Sequence, residues 1–374
     1  MSRFLITTYH GSGSPQIPGT DGNTYKDDDD DTIYYYDDGW VSTTAPTWRS
    51  AMTGLPANTN GSVNCSVVYM GGVFYMLVGN YNTNDTDIYT TTDFQLWTSI
   101  CTLTDVRPQI SVPFQTFVTD GTNLYFLSSN PSDVTVWDDI YTRVYKSSDN
   151  GLTWTPSDCP TVTVGGVGVI GTFAAIVYNG TNLFVARLGN TYEVADERVW
   201  TSTDGVSWTV TTGLTNLNVS NVSAFGTSGS AVYIRNKDDG AGGSGLFAYC
   251  TNNSTWSTSS VTAISDGTRR SFDGNGTLVL QASDVAILKS SSIGGAFGSS
   301  VYSGNVRTVK QIASSHYFAT LVAGGLIEST DGGDNWTALT TGVGADSTVL
   351  YSIANNGETS IVVCKQVDAV YARI

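Results

Sequence analysis

The chain has 374 residues and a net charge of −16, yet charged residues make up only 13% of it. Its six Lys and eleven Arg are scattered along the sequence, so it lacks the clustered cations that neutralise phosphates; this excludes non-specific nucleic-acid binding and disfavours an anionic membrane surface. No apolar stretch is long enough to span a bilayer, and none has a helical period, so little helix is expected.

From the N-terminus, Met1 to Ile6 has neither a long apolar core nor a cleavage site, and reads as no signal peptide. Residues 12–31 read as an acidic, flexible loop ending in Asp27-Asp28-Asp29-Asp30-Asp31, because adjacent carboxylates repel one another. Asp27, Asp29 and Asp31 are the candidate ligands for a Ca²⁺ ion, whose hard oxygen preference suits carboxylates. The run lacks the alternate spacing and glycine of an EF-hand, so the reading taken is a solvated loop with no metal and no cofactor. Tyr34, Tyr35, Tyr36 and Trp40 then fall outside any regular alternation, as does Trp137 further on. Aromatic faces stack on sugars and anchor protein contacts, which makes these five the candidate ligand or partner contacts; the alternative is that they pack within a blade or form a capping loop.

Past that segment the chain becomes a series of β-hairpins. Thr119-Asp120-Gly121-Thr122-Asn123-Leu124-Tyr125-Phe126-Leu127 matches Tyr178-Asn179-Gly180-Thr181-Asn182-Leu183-Phe184-Val185-Ala186. The D/N-G-T-N piece is a tight turn between short strands rich in Val, Phe, Tyr and Ile. Weaker copies at 67–78, 222–235, 271–281, 312–322 and 352–364 bring the inner hairpins to seven. Outer hairpins follow six of them, at 87–99, 143–155, 198–210, 245–257, 285–299 and 325–339.

The outer hairpins carry a second repeated phrase. Ser147-Ser148-Asp149-Asn150-Gly151-Leu152-Thr153-Trp154 returns as Ser202-Thr203-Asp204-Gly205-Val206-Ser207-Trp208 and as Ser329-Thr330-Asp331-Gly332-Gly333-Asp334-Asn335-Trp336. Gly151, Gly205 and Gly333 supply positive φ. The carboxylates of Asp149, Asp204 and Asp331 can fold back onto backbone N–H groups, and Trp154, Trp208 and Trp336 can pin each turn by burial. Self-similarity at this spacing signals a repeat architecture. The phrase closely resembles the Asp-box of sialidases and many other β-propellers. That resemblance implies a structural role for Ser147, Ser202 and Ser329 and their box partners, on the face remote from a ligand pocket.

These elements make an all-β fold, one domain over 1–374, a seven-bladed β-propeller with Asp-box turns. The seventh inner hairpin runs out of chain, so its outer strands are expected from the N-terminus, at 3–9 or 32–48. Pairing the two termini in one blade closes the ring and removes an exposed sheet edge.

Catalytic chemistry finds little purchase. The sialidase resemblance calls for an arginine triad, an Arg in a Phe/Tyr-Arg-Ile-Pro motif among them, and a Tyr nucleophile tuned by Glu. That motif is absent, and the four Glu, Glu193, Glu197, Glu328 and Glu358, follow no pattern. Arg187 and Arg235 sit one position apart in the hairpin alignment, which points them to opposite sheet faces. Cys65, Cys101, Cys159, Cys250 and Cys364 lack C-x-x-C spacing, and His10 and His316 are too few to argue zinc. The main reading is a non-enzymatic phage virion protein of the tail or capsid surface, binding host glycan or another virion protein through loops 12–31 and 131–139. The alternatives are a glycan-cleaving propeller hydrolase and a cellular propeller scaffold for a protein partner.

Overall fold

Alternating apolar residues between glycine turns produce strands, and in a computed structural model of the chain they assemble four at a time. The structure describes residues 8–11, 24–27, 33–36, 40–42, 48–50, 53–56, 63–80, 82–93, 96–108, 115–129, 142–158, 161–164, 167–170, 173–187, 199–214, 222–236, 246–260, 270–283, 285–298, 300–339, 352–355, 361–364 and 370–373. By its contacts the chain divides into two units, Met1–Trp48 with Ile374, and Arg49–Arg373.

In the first unit, Thr8–Gly11, Thr24–Asp27, Ile33–Tyr36 and Trp40–Ser42 form one sheet in that order, with the first pair parallel. Thr24–Asp27 is thus a strand inside the segment expected to be loop; alternate β-prone Thr and Tyr precede the repelling carboxylates.

The second unit is a propeller-like, all-β arrangement of antiparallel strand groups. Group one is Val63–Met70, Val73–Asn80, Asp85–Thr91 and Thr98–Leu103. Group two is Phe117–Thr119, Leu124–Ser129, Thr142–Ser147 and Thr155–Asp158, and group three is Phe173–Tyr178, Leu183–Arg187, Val199–Ser202 and Thr209–Val210. Group four is Val222–Ser228, Ala231–Asn236, Leu246–Cys250 and Trp256–Ser260; group five is Arg270–Gly274, Val279–Ala282, Ala286–Ser290 and Ser300–Ser303. Group six is Val306–Ala313, His316–Leu321, Leu326–Ser329 and Thr337–Leu339. Group seven runs Ser352–Asn355, Ile361–Cys364 and Val370–Arg373, and its fourth strand is Trp48–Ser50. That strand shares only Trp48 with the segment 32–48 that the sequence suggested; Ile33–Tyr36 and Trp40–Ser42 of that segment, and Thr8–Gly11 beside the alternative 3–9, belong to the first unit's sheet instead. A further hairpin, Thr161–Val164 with Val167–Ile170, separates groups two and three; its Val/Gly alternation had no place in the repeat pattern.

First strands lie beside first strands. Val222–Ser228 pairs in parallel with Arg270–Gly274, where Gly226 is required because a Cβ would stand 2.1 Å from the Phe272 carbonyl oxygen. The Ser271 hydroxyl accepts the Val309 N–H at 2.9 Å, joining groups five and six. The Ser352 hydroxyl accepts the Val67 N–H at 3.0 Å, joining groups seven and one.

The core sits between groups rather than inside one. Leu77, Ile88, Phe117, Phe126 and Tyr145 form one buried cluster spanning groups one and two. Tyr125, Leu127, Val144, Ile176, Leu183 and Trp200 form the next, spanning two and three. Each such side chain contributes roughly 1.5–3 kcal/mol when fully buried, and alternation along a strand lets one group feed the clusters on both its faces.

Candidate functional site

The second strand of each group begins where the third ends: Leu124 pairs with Ser147, Leu183 with Ser202 and Tyr317 with Ser329. The inner turns and the corners that carry Ser147, Ser202 and Ser329 therefore share one end of the second unit. At the corner of group two, the Ser147 hydroxyl donates to Asp149 Oδ1 at 2.8 Å and accepts the Gly151 N–H at 2.8 Å. Asp149 accepts the Thr153 N–H at 2.9 Å and the Thr153 hydroxyl at 2.6 Å, and Trp154 Nε1 donates to the Gly151 carbonyl at 3.0 Å. Ser202 and Asp204 repeat this pattern with the N–H groups of Gly205, Val206 and Ser207. Ser329 and Asp331 repeat it with Gly333, Asp334 and Asn335, and Trp336 Nε1 donates to the Gly333 carbonyl at 3.0 Å.

These bonds hold the carboxylates ionised. The Thr153 hydroxyl and N–H keep Asp149 below the usual carboxylate range. The Ser207 and Val206 N–H groups bring Asp204 down to about 2. The N–H and side-chain amide of Asn335 hold Asp331 well below the usual range. All donors are spent within the turn, so the carboxylates serve the loop first.

Each corner also packs on the preceding group. A Cβ at Gly205 would stand 2.4 Å from the Tyr125 ring of group two. One at Gly333 would meet Leu280 of group five at 2.9 Å. Trp154 packs against the cluster that holds Leu77 and Ile88 of group one, and Trp208 against Tyr125 and Leu127 of group two. Lys146 donates to the Asp204 carbonyl at 2.9 Å.

Two further corners, at Thr91 to Trp97 and Thr251 to Trp256, are the weaker copies that keep the Trp of the phrase and lose its Gly. In group four, Asn252 Oδ1 accepts the Ser254 and Thr255 N–H groups at 3.1 and 2.8 Å, so Asn stands where the others have Asp and Cys250 where they have Ser. In group one, the Thr91 hydroxyl donates to Asp93. The Trp of both corners is held from outside: the Trp97 N–H donates to the Thr53 carbonyl at 2.9 Å and the Trp256 N–H to the Thr212 carbonyl at 2.8 Å. The signal was present as Thr53-Gly54-Leu55 and Thr212-Gly213-Leu214.

Inner turns stitch sideways as well. Asn179 Oδ1 caps its own turn, accepting the Asn182 N–H at 2.9 Å, while its amide donates to the Ser230 carbonyl of group four at 2.7 Å. Asp120 accepts the Asn123 N–H and the Tyr125 hydroxyl, at 2.6 and 2.7 Å. Burial works against its charge, but bonds from Asn123, Tyr125 and Thr122 hold it below the usual range.

At this end a pocket of about 200 Å³ opens between the first strands, lined by Val67, Tyr69, Val118, Tyr178, Thr227 and Ile353 with Gln115, Lys310 and Asn355 as polar groups. Lys310 also pairs with the buried Asp273 at 3.0 Å. Burial pushes the Asp273 carboxyl up, against the pull of Lys310. Tyr69, Thr119, Tyr178 and Asn355 are at or next to the C-terminal ends of their strands. The strands' turn-side ends line this pocket, so it lies at the corner end.

Other expected sites are dispersed. Tyr34, Tyr35 and Tyr36 lie in the strand Ile33–Tyr36 and Trp40 opens Trp40–Ser42, both in the first unit. Asp27 closes Thr24–Asp27; Asp29, Asp31, Trp137 and loop 131–139 lie outside the described residues. Among the described residues no group of three or more His, Cys, Asp or Glu is placed to hold a metal ion, and no helix is long and apolar enough to cross a membrane. Arg187 pairs with Phe173, before a bulge, and Arg235 with Ala224, after the equivalent bulge; the one-residue offset is present in the register.

No family model matches the chain, and no curated protein matches it either. Among solved structures, it is similar to YCF48 from Cyanidioschyzon merolae, at 12% identity and a TM-score of 0.56, over 88% of this chain and 98% of that one. It is also similar to a YCF48 structure described as bound to D1 peptide, at 14% identity and a TM-score of 0.58, over 86% of this chain and 98% of that one. At these identities the likeness establishes the fold: a β-propeller.

Proposed function

We propose that the second unit is a non-enzymatic, seven-bladed propeller scaffold that binds a segment of a partner protein. The sequence led first to a virion adhesion protein, with the protein-partner scaffold as an alternative; the comparisons favour the alternative, because one similar propeller was solved with a peptide bound. Seven blades and a closed ring are supported by the Ser352–Val67 junction, which repeats the Ser271–Val309 junction, and by Trp48–Ser50 as the last strand of group seven.

The observation that carries the reading is the pocket between the first strands. Its wall is rigid β-sheet, its lining mixes Tyr69, Val118, Tyr178 and Ile353 with the amides of Gln115 and Asn355, and such a mixture suits a peptide side chain with its adjoining backbone. About 200 Å³ is a size that suits a single side chain.

The test is selection from a random peptide display library, followed by titration of the enriched peptide against the parent and a Thr227→Arg variant, which fills the pocket from a half-buried position. A glycan array and a reducing-sugar assay run alongside. Enriched peptides should bind the parent and lose about tenfold in affinity with the variant, the range of a lost central contact. Sugar release, or glycan binding without peptide enrichment, overturns the reading.

A further inference from the structure

Three large apolar side chains stand out from the corner end, Leu96 at 54%, Leu152 at 57% and Val206 at 54% exposure. They occupy one equivalent place, just after the corner's tight bend and one or two residues before its Trp, in groups one, two and three. The hydrogen bonds of the corner use Ser, Asp, Gly and the backbone, so this position is not needed for the turn. The corners of groups four and six have the polar Ser254 and Asp334 near that place. At this corner place the exposed apolar residues fall in three consecutive groups, where the turn does not need them; the two other exposed large apolar residues described, Val210 and Val285, lie off it, in the fourth strand of group three and just before the third strand of group five.

Beside Leu152 lies a groove of about 560 Å³ between groups one and two. Met70, Val73, Tyr75 and Ile100 line it with Leu152, and the Gly121-Thr122 turn forms one wall. The corner carboxylates flank the row. Asp149 and Asp204 are held ionised by their turns, and Asp93 sits at the corner of group one. The described cation among these corners is Lys146, which is turned to the Asp204 carbonyl.

We infer that this corner row is a docking surface for a protein segment that alternates apolar and basic residues, its apolar side chains entering the groove and its cations meeting the carboxylates. The inference rests on the partner-binding reading above and names a second contact for it. Charge complementarity selects this occupant: an acidic segment, a nucleic acid or an anionic membrane meets like charge, and a second copy of the chain would bring its own acidic corners.

The experiment uses three labelled synthetic peptides, Leu/Lys alternating, Leu/Glu alternating and Ser/Lys alternating, titrated by fluorescence anisotropy against the parent and the triple variant Leu96→Ser, Leu152→Ser, Val206→Ser. The Leu/Lys peptide should bind best, should weaken as salt is raised, and should lose about tenfold in the triple variant. If the triple variant melts early, the single variant Leu152→Lys takes its place. Equal binding of the Leu/Lys and Ser/Lys peptides, or unchanged binding by the variant, overturns the inference. So does a parent dimer, seen by sedimentation, that the triple variant abolishes. Binding lost in Thr227→Arg but kept in the corner variant leaves the partner-binding reading standing and removes only the corner row.

Discussion

The Ser352 hydroxyl accepts the N–H of Val67 at 3.0 Å and donates back to its carbonyl at 3.4 Å, across 285 residues of sequence. Ser271 does the same to Val309, at 2.9 and 3.3 Å, across 38 residues. One small hydroxyl side chain on a first strand thus serves a sequence-local and a sequence-distant junction alike. Ser352→Ala and Ser271→Ala should each destabilise by about 1 kcal/mol, the usual net worth of such a bond. Urea unfolding of the two variants checks it. A much smaller effect at Ser352 would mean that groups seven and one are not joined as five and six are.

A second pair of equivalent contacts carries a steric prediction. Gly54 and Gly213 have φ of +88° and +91°, and a Cβ would stand 2.1 Å from the Trp97 carbonyl oxygen and 2.6 Å from that of Trp256. Gly121 has φ of +89° but open space around it. Gly121→Ala should cost about 1–2 kcal/mol from backbone strain alone, and Gly54→Ala and Gly213→Ala clearly more. Comparable losses at all three positions, measured by chemical denaturation, would remove steric contact as the reason for glycine at 54 and 213.

Gln281 is fully buried, and neither its amide nitrogen nor its carbonyl oxygen has a hydrogen-bond partner among the described residues. The corresponding place, two residues after the one opposite the corner, is Phe126 in group two, Val185 in group three and Ile234 in group four, all apolar. Gln281→Met keeps the volume and removes the desolvation penalty, so it should stabilise by about 1–3 kcal/mol. A lower midpoint in urea would show that the amide is satisfied.

At equivalent turn positions Asp120 and Asn179 should not exchange. The buried Asn179 amide donates to the Ser230 carbonyl and to Asn253 Oδ1, both at 2.7 Å. Asn179→Asp would set a carboxylate against two acceptors and should cost about 2–4 kcal/mol. The check is thermal melting from pH 4 to pH 8: protonation should restore part of the loss at the acid end, because the variant's buried carboxyl is raised by its surroundings.

Acid should loosen the corners within a defined window. Asp204 has its folded pKa lowered to about 2 by the Ser207 and Val206 N–H groups, against about 3.9 unfolded. A depressed carboxyl stabilises above the unfolded value and loses that stability as pH falls through the folded one. The loss attributable to Asp204 should therefore fall between about pH 4 and pH 2, and Asp204→Asn should flatten it. The side chain is largely exposed, so solvent screening keeps the effect small. An unchanged acid slope in the variant rules out this source.

Much of the site's scaffold is legible in the sequence because it is local. Ser147, Asp149, Gly151 and Trp154 close their turn through bonds spanning two to four residues, and such short loops write themselves as a repeated phrase. The corner around Asn252 was harder to read because Cys250 and Asn252 keep the geometry with different atoms. Thr53 and Thr212 were missed since their partners, Trp97 and Trp256, lie more than forty residues away. The hairpin 161–170 was missed because it belongs to no repeat.

By itself the sequence determined the strand-and-turn grammar: β-branched and aromatic alternation, glycines where φ must be positive, and Asp or Asn to cap the bend. It also determined that the chain is acidic. Only the tertiary structure decided which strand completes group seven, that the pocket and the corners share one end, and that Leu96, Leu152 and Val206 fall in a row. Local hydrogen bonds depend on residues a few positions apart, whereas these relations depend on how whole sheets pack against one another, and packing at that distance leaves no period in the chain.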